Sequence, residues 1–245
     1  MKQMKIVVLA KQVPDTRNVG KDAMTPEGTV NRAALPAIFN PEDLNALEAA
    51  LFIKDKVAGS TVYVLTMGPL RAADIIRDAM FRGADGGYLL TDRKFAGSDT
   101  LATSYALSCA LKKIQPDLIV AGRQAIDGDT AQVGPQVAEK LGLPQVTYVE
   151  EILDITDTKI VAKRRLEHGV ETVEPSTLSL MKSAASRAFK SSGLKIAGRA
   201  ARFTVPSGVM ASLPTFRVSG TCFASTTIFR CFISYKLFNN KLFSF

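Results

Sequence analysis

The chain has 245 residues, three Cys, one His and a formal net charge of +8. No stretch of about 18 uncharged apolar residues is present, which excludes a helical membrane span by length. Cys109, Cys222 and Cys231 stand far apart without a CxxC pair, so neither a metal site nor a disulfide framework is indicated.

The charge is unevenly spread. Residues 1–174 hold 21 basic and 23 acidic side chains, or −2, whereas 175–245 hold 10 basic and no acidic ones. Any argument from basicity toward nucleic acid therefore concerns the tail alone. The lone His168 sits in Glu167-His168-Gly169, which reads as a turn, so a histidine metal cluster or a Ser-His-Asp triad is not expected. The apolar start is too short for a signal peptide, and the expected compartment is the cytoplasm.

In chain order, Ile6–Ala10 reads as a strand. Asn40 reads as a helix cap, with Pro41 at the first helical position and Glu42 and Asp43 at the positive end of the dipole. Leu44, Leu47 and Leu51 would form that helix's buried face. A strand over Thr61–Thr66 precedes Met67-Gly68-Pro69, a helix covers Ala72–Arg82, and Gly87–Thr91 is a short strand. Asp99–Ile114 reads as a helix with Leu101, Tyr105, Leu107, Leu111 and Ile114 on its apolar side, and Asp117–Ala121 as a buried strand. After a glycine-punctuated run comes a helix from Val133 to Leu141 with Gly142 as its stop. Thr147–Ile155 and Lys159–Arg165 read as a β-hairpin. Alternating strands and helices imply an α/β fold with a doubly wound, mostly parallel sheet.

In such sheets ligands bind beyond the carboxyl ends of strands, where the strand order reverses. Three loops lie at such ends: Leu9-Ala10-Lys11, Thr66-Met67-Gly68-Pro69, and Gly122-Arg123-Gln124-Ala125-Ile126-Asp127-Gly128-Asp129-Thr130-Ala131-Gln132-Val133-Gly134-Pro135. The third joins a strand to a helix start, an arrangement that seats phosphates on free backbone N–H groups. Gly122, Gly128 and Gly134 are expected to allow close approach and positive φ. The run matches neither GxxxxGK[ST] nor GxGxxG, so by spacing alone it also fits a plain strand–helix turn. Asp127 and Asp129 would repel a diphosphate and read as caps, leaving Gly128, Thr130 and the N–H groups for the anion. Lys11 fits a phosphate partner or a solvated lysine equally. Arg123 can stack on or hydrogen-bond to a planar ring. Met67 reads first as packing. Phe95-Ala96-Gly97-Ser98-Asp99-Thr100 reads as a cap or as a contact to a second nucleotide. With no nucleophile–base pair in view, a cofactor holder is favoured over a hydrolase.

Val13-Pro14-Asp15-Thr16, Asn40-Pro41-Glu42-Asp43, Met67-Gly68-Pro69, Gly83-Ala84-Asp85 and the run Gly122 to Pro135 together resemble the β subunit of electron transfer flavoproteins over about residues 1–174. The resemblance implies a Rossmann-like fold of the adenine nucleotide alpha hydrolase-like kind. It implies a heterodimer with an α subunit holding the electron-carrying FAD, and an electron carrier rather than a stand-alone enzyme. In ordinary members a structural AMP is held by loops that match Leu9, Asn40 to Asp43, Met67 and Gly122 to Val133. The wording Asp127 to Pro135 with Phe95 to Thr100 resembles the electron-bifurcating branch. There a second FAD replaces AMP and takes a hydride from NADH, and Arg123 would tune it. Acyl-CoA dehydrogenases or other flavoenzymes are the implied redox partners; nucleic acid and membrane are not. The resemblance fails near Glu174: residues 175–245, with nine of the 13 Phe and no carboxylate, read as an out-of-frame or non-homologous tail, poorly ordered and aggregation-prone.

Overall fold

The computed structural model describes residues 3–15, 36–156, 159–175 and 231–235. Strand β1 (Lys5–Leu9) is apolar and buried from Ile6 to Leu9, because a central parallel strand is covered on both faces. A short hairpin follows, β2 (Gln12–Pro14) against β3 (Ala37–Phe39), paired antiparallel. Helix α1 (Pro41–Lys56) crosses to β4 (Thr61–Met67), and a 3-10 turn, Leu70–Ala72, leads into α2 (Ala73–Phe81) and β5 (Gly86–Leu90). The chain returns through α3 (Thr100–Ile114) to β6 (Leu118–Gly122), then α4 (Val133–Leu141) and β7 (Gln145–Ile155). The antiparallel strands β8 (Ile160–Leu166) and β9 (Gly169–Val173) follow, with β10 (Cys231–Tyr235) last.

The main sheet has the order β5-β4-β1-β6-β10-β7-β8-β9, and its ladders run parallel from β5 to β7. The order reverses between β1 and β6: the chain leaves β1 toward β4 and β5, then comes back beside β1 as β6. The pleat sends alternate residues to opposite faces. Ile6, Val8, Val62, Val64, Leu118 and Val120 pack with Leu47, Ile53 and Ile76 of α1 and α2. Val7, Leu9, Leu65, Ile119 and Ala121 pack with Leu107, Leu111 and Val137 of α3 and α4. Helices thus cover both faces, as a doubly wound α/β fold requires.

Boundaries differ from the sequence reading by a residue or two, and for physical reasons. Asp117 is not in β6; its carboxylate accepts from the Lys5 N–H at 2.8 Å and anchors the strand entry. Asp99 is the cap of α3, accepting from the Ala102 N–H at 2.7 Å. Leu101, placed on the buried face by periodicity, is 58% exposed; Ser104 and Ser108 take the inner positions, and Ser108 bonds back to the Ser104 carbonyl at 2.6 Å. The hairpin β2–β3 and strand β9 were not foreseen, since three to five residues carry no measurable period. Strand β10 comes from the stretch in which no strand period was found. The rest of the expectation about 175–245 lies outside the described residues. Among the described residues, no helix is long and apolar enough to cross a membrane.

At Gly122, a Cβ would lie 2.4 Å from Asp43 Oδ1 and 2.7 Å from the Glu42 carbonyl carbon. Because one obstacle is backbone, the helix start or the strand end must move. Gly122→Ala is expected to lower stability by about 2 kcal/mol, as overpacking does, read as a shifted urea midpoint at unchanged slope.

Candidate functional site

The first turn of α1 lies against the ends of β1 and β6. Its Asn40 is fully buried, and its side chain makes no cap bond. Instead Asn40 Nδ2 donates to the Gln124 carbonyl at 2.9 Å, and Asn40 Oδ1 accepts from the Ile126 N–H at 3.2 Å. The expected cap is therefore a brace for the loop after β6. The helix start is met by its own Pro41, which has no N–H to satisfy. The Asn40 N–H donates to the Lys11 carbonyl at 3.0 Å.

Asp43 is buried, and its Oδ2 accepts from the Lys11 N–H at 2.9 Å. Burial pushes its carboxyl up to about 7, although hydrogen bonds from the Asn40 side chain and the Lys11 and Gly122 N–H groups pull the other way. Asp43 thus bridges the two strand ends at the point where the order reverses.

The loop after β6 begins with a helical turn in which the Asp129 N–H donates to the Ala125 carbonyl at 2.9 Å. Positive φ was expected at Gly122, Gly128 and Gly134; it falls on Asp129 (47°) and Ala131 (53°) instead. Asp129 ends the turn in the left-handed region, which its short polar side chain tolerates, and its Oδ1 accepts from Gln124 Nε2 at 2.6 Å. Ala131 has no such compensation, so the loop holds local strain, a recurrent property of ligand-binding turns.

Asp127 is paired with Lys11. Lys11 Nζ donates to both its oxygens, at 2.7 and 2.8 Å. Lys11 thereby ties the loop to the end of β1, while its side chain stays 47% exposed. Arg123 faces Glu42, with Nη2 3.6 Å from Oε1.

These elements enclose a cleft of about 490 Å3 between the ends of β1, β4 and β6 and the starts of α3 and α4. Leu9, Lys11, Asp43, Met67, Gly122 to Ala125 and Gly128 to Gly134 line it, as do Phe95 and Gly97 to Thr100. Asn40, Pro41, Glu42, Ile126 and Asp127, included among the expected ligand contacts, are not part of the wall; they support it from behind. Leu65, Thr103 and Leu107 line it without having been foreseen, because their apolar or helical context marks only core. Thr100 Oγ1 donates to Gln132 Oε1 at 2.9 Å, joining the 95–100 segment to the loop.

The wall fits a nucleotide. The volume lies in the range of cofactor clefts. The start of α3 is capped by Asp99, but α4 has no side-chain cap at Gln132, and with Pro135 third in the helix the Val133 and Gly134 N–H groups are the ones a bound anion could meet. A Cβ at Gly97 or Gly128 would meet nothing within 4 Å, so both glycines leave open space at the cleft. Among the described residues no group of three metal-ligating side chains occurs, and the His168 side chain is 97% exposed.

Asn40→Ser separates capping from bracing: Ser caps a helix as well as Asn, but its hydroxyl is too short to hold Gln124 and Ile126. The variant is expected to lose about 2 kcal/mol of stability by calorimetry, from two lost buried hydrogen bonds. Asp43 supplies a pH test. Its folded carboxyl binds a proton more tightly than the unfolded one, whose value is near 3.8. Its contribution to stability therefore falls as pH rises from about 4 to about 7 and is flat above. The melting temperature of D43N relative to wild type is expected to climb across that window; parallel curves would exclude the assignment.

The sequence profile of the electron transfer flavoprotein domain matches residues 27–207. The chain is 54% identical over 172 residues to the caffeyl-CoA reductase-Etf complex subunit CarD of Acetobacterium woodii, covering 70% of this chain and 64% of that protein. It is 53% identical over 178 residues to an electron transfer flavoprotein subunit beta of Thermoanaerobacterium thermosaccharolyticum, covering 73% and 67%. It is 50% identical over 190 residues to the acryloyl-CoA reductase electron transfer subunit gamma of Anaerotignum propionicum, covering 76% and 70%. The chain thus spans about two thirds of the length of these relatives. A doubly wound sheet with its cleft at the reversal point, and a profile match over most of the chain, lead to one conclusion: the chain belongs to the electron transfer flavoprotein family, as a relative of its β subunits.

Proposed function

We propose that this chain is the β subunit of a heterodimeric electron transfer flavoprotein whose cleft holds FAD. In this reading it takes electrons from NADH or a flavin dehydrogenase and passes them to partner flavins. The single observation that carries the reading is the reach of the cleft. It runs from Leu9 and Met67, past the Gly122 loop, to Phe95 and Gly97–Thr100 at the start of α3. A mononucleotide would need only part of that wall. The free α4 N-terminus suits the ligand's phosphates. Arg123 brings a guanidinium to the wall, suited to a planar ring and to charge that develops on it. FAD bound there would supply hydride acceptance and one-electron release.

An α subunit of the same family is the proposed partner, with acyl-CoA dehydrogenases or other flavoenzymes as redox partners. The names of two relatives, subunits of caffeyl-CoA and acryloyl-CoA reductase systems, support that class.

A second reading, structural AMP, rests on a separate observation. Both cations on the wall face carboxylates, Lys11 with Asp127 and Arg123 with Glu42. A monophosphate demands less positive charge than a diphosphate. Extraction of the co-expressed αβ complex decides between them. Two FAD per heterodimer are expected; one FAD with one AMP would establish the second reading, and no adenine nucleotide in this subunit would overturn both.

A further inference from the structure

Arg123 and Glu42 are close without being hydrogen-bonded: Nη2 and Oε1 stand 3.6 Å apart. Two further atoms of the same pair, Arg123 Nε and Glu42 Oε2, are buried without any partner. Orphaned buried polar atoms are rare and call for an explanation. Here the orphans are complementary. A guanidinium edge offers Nε and Nη2 side by side, and a carboxylate offers two oxygens at matching spacing, which together close a bidentate fork. The Nη2–Oε1 contact would form one arm of such a fork, and joining the two orphans would form the other.

The flanking backbones are already fixed. Glu42 lies in the first turn of α1, beside Asp43, whose carboxylate holds the N–H groups at the ends of β1 and β6. Arg123 directly follows Gly122, which packs against the Glu42 backbone. Closing the fork takes the Nη2–Oε1 contact from 3.6 Å to hydrogen-bond length and turns the two orphans toward each other, by side-chain torsions alone. Glu42 itself is not part of the cleft wall, whereas Arg123 is.

We propose that Glu42 is the positioning residue of Arg123: the pair closes into a Nε/Nη2 fork when the cleft is filled, and so presents the remaining Nη1 to the bound ring. This rests on the reading that the cleft holds an adenine nucleotide or flavin. Closing the fork gives Glu42 a role that its helix-start position alone does not require.

The test uses the αβ complex with three variants, Glu42→Gln, Arg123→Ala and their combination. Two quantities are read: affinity for FAD, by fluorescence titration of flavin-stripped complex, and the reduction potential of the flavin in this subunit. If Glu42 positions Arg123, E42Q weakens FAD binding about tenfold, the size of one lost charge-assisted hydrogen bond. It also shifts the potential in the same negative direction as R123A, and the double variant matches R123A alone. If Glu42 acts merely as a nearby negative charge, E42Q shifts the potential the opposite way, toward positive values, and that result overturns the proposal. Additive effects in the double variant overturn it as well. Should E42Q fail to assemble, Arg123→Lys keeps the charge but offers no fork, and must reproduce the loss of affinity. Absence of any FAD or AMP binding by wild type would instead refute the cleft assignment, and is told apart by that control.

Discussion

Two buried polar side chains in one turn of helix hold the crevice of this protein together. At the reversal point, β1 and β6 are adjacent strands whose following loops depart toward different neighbours, so their last N–H groups have no ladder partner. Asp43 takes the N–H groups of Lys11 and Gly122, and Asn40 takes the Ile126 N–H while giving to the Gln124 carbonyl. Burying a carboxylate is unfavourable, as its raised pKa records. Removing it would be worse, because two buried N–H groups would be orphaned. Gly122 follows from the same constraint: the carboxylate must come so close to β6 that no side chain fits there.

That constraint shapes the electrostatics of the cleft. The first turn of α1 is spent on holding strands: its Asn40 and Asp43 side chains face the ends of β1 and β6, and its Asp43 and Leu44 N–H groups bond to the Asn40 carbonyl. The start of α4, on the cleft wall, has no side-chain cap. The two cations of the wall are each set against a carboxylate, and one of these pairs, Lys11–Asp127, ties the loop across to the end of β1. Uncompensated positive potential at the cleft therefore comes mainly from oriented backbone, which carries no entropy of side-chain ordering.

The parts of this arrangement legible in the sequence were those with a long period or a composition break. Strands β1, β4 and β6 announce themselves as apolar runs, α3 and α4 as amphipathic ones, and the loop at Gly122 as glycine between them. Their order alone places the switch point, and with it most of the cleft wall. What could not be read was pairing at a distance. Asn40-Pro41-Glu42-Asp43 is locally a helix start, and no local rule says that Asn40 faces a loop 84 residues away. Likewise no local rule pairs Asp127 with Lys11, 116 residues away. The left-handed positions were misplaced because glycine was taken as the default for positive φ, whereas the turn ends at Asp129 by hydrogen-bond count. Leu101 was misplaced because two buried serines satisfy their hydroxyls on the helix backbone and can turn inward.

The strand order adds one demand that local pattern could not express. Strands β6 and β7 are not neighbours: β10 lies between them, with Cys231 opposite Leu118 and Tyr235 opposite Gly122 on one side and Phe232 opposite Gln145 on the other. Neighbouring strands stand about 4.8 Å apart, so without this strand β6 and β7 would face each other across a gap of roughly two spacings, with both ladders open. A five-residue segment suffices, because its pairing comes from backbone groups and needs no amphipathic repeat. The register also bears on the cleft. It brings the end of β10 level with Gly122, the residue at which the cleft loop begins, so the backbone that borders the cleft is braced by α1 from one side and by β10 from the other. The far end of the chain is in this way part of the sheet that positions the site, despite a composition that sets it apart from everything before Glu174.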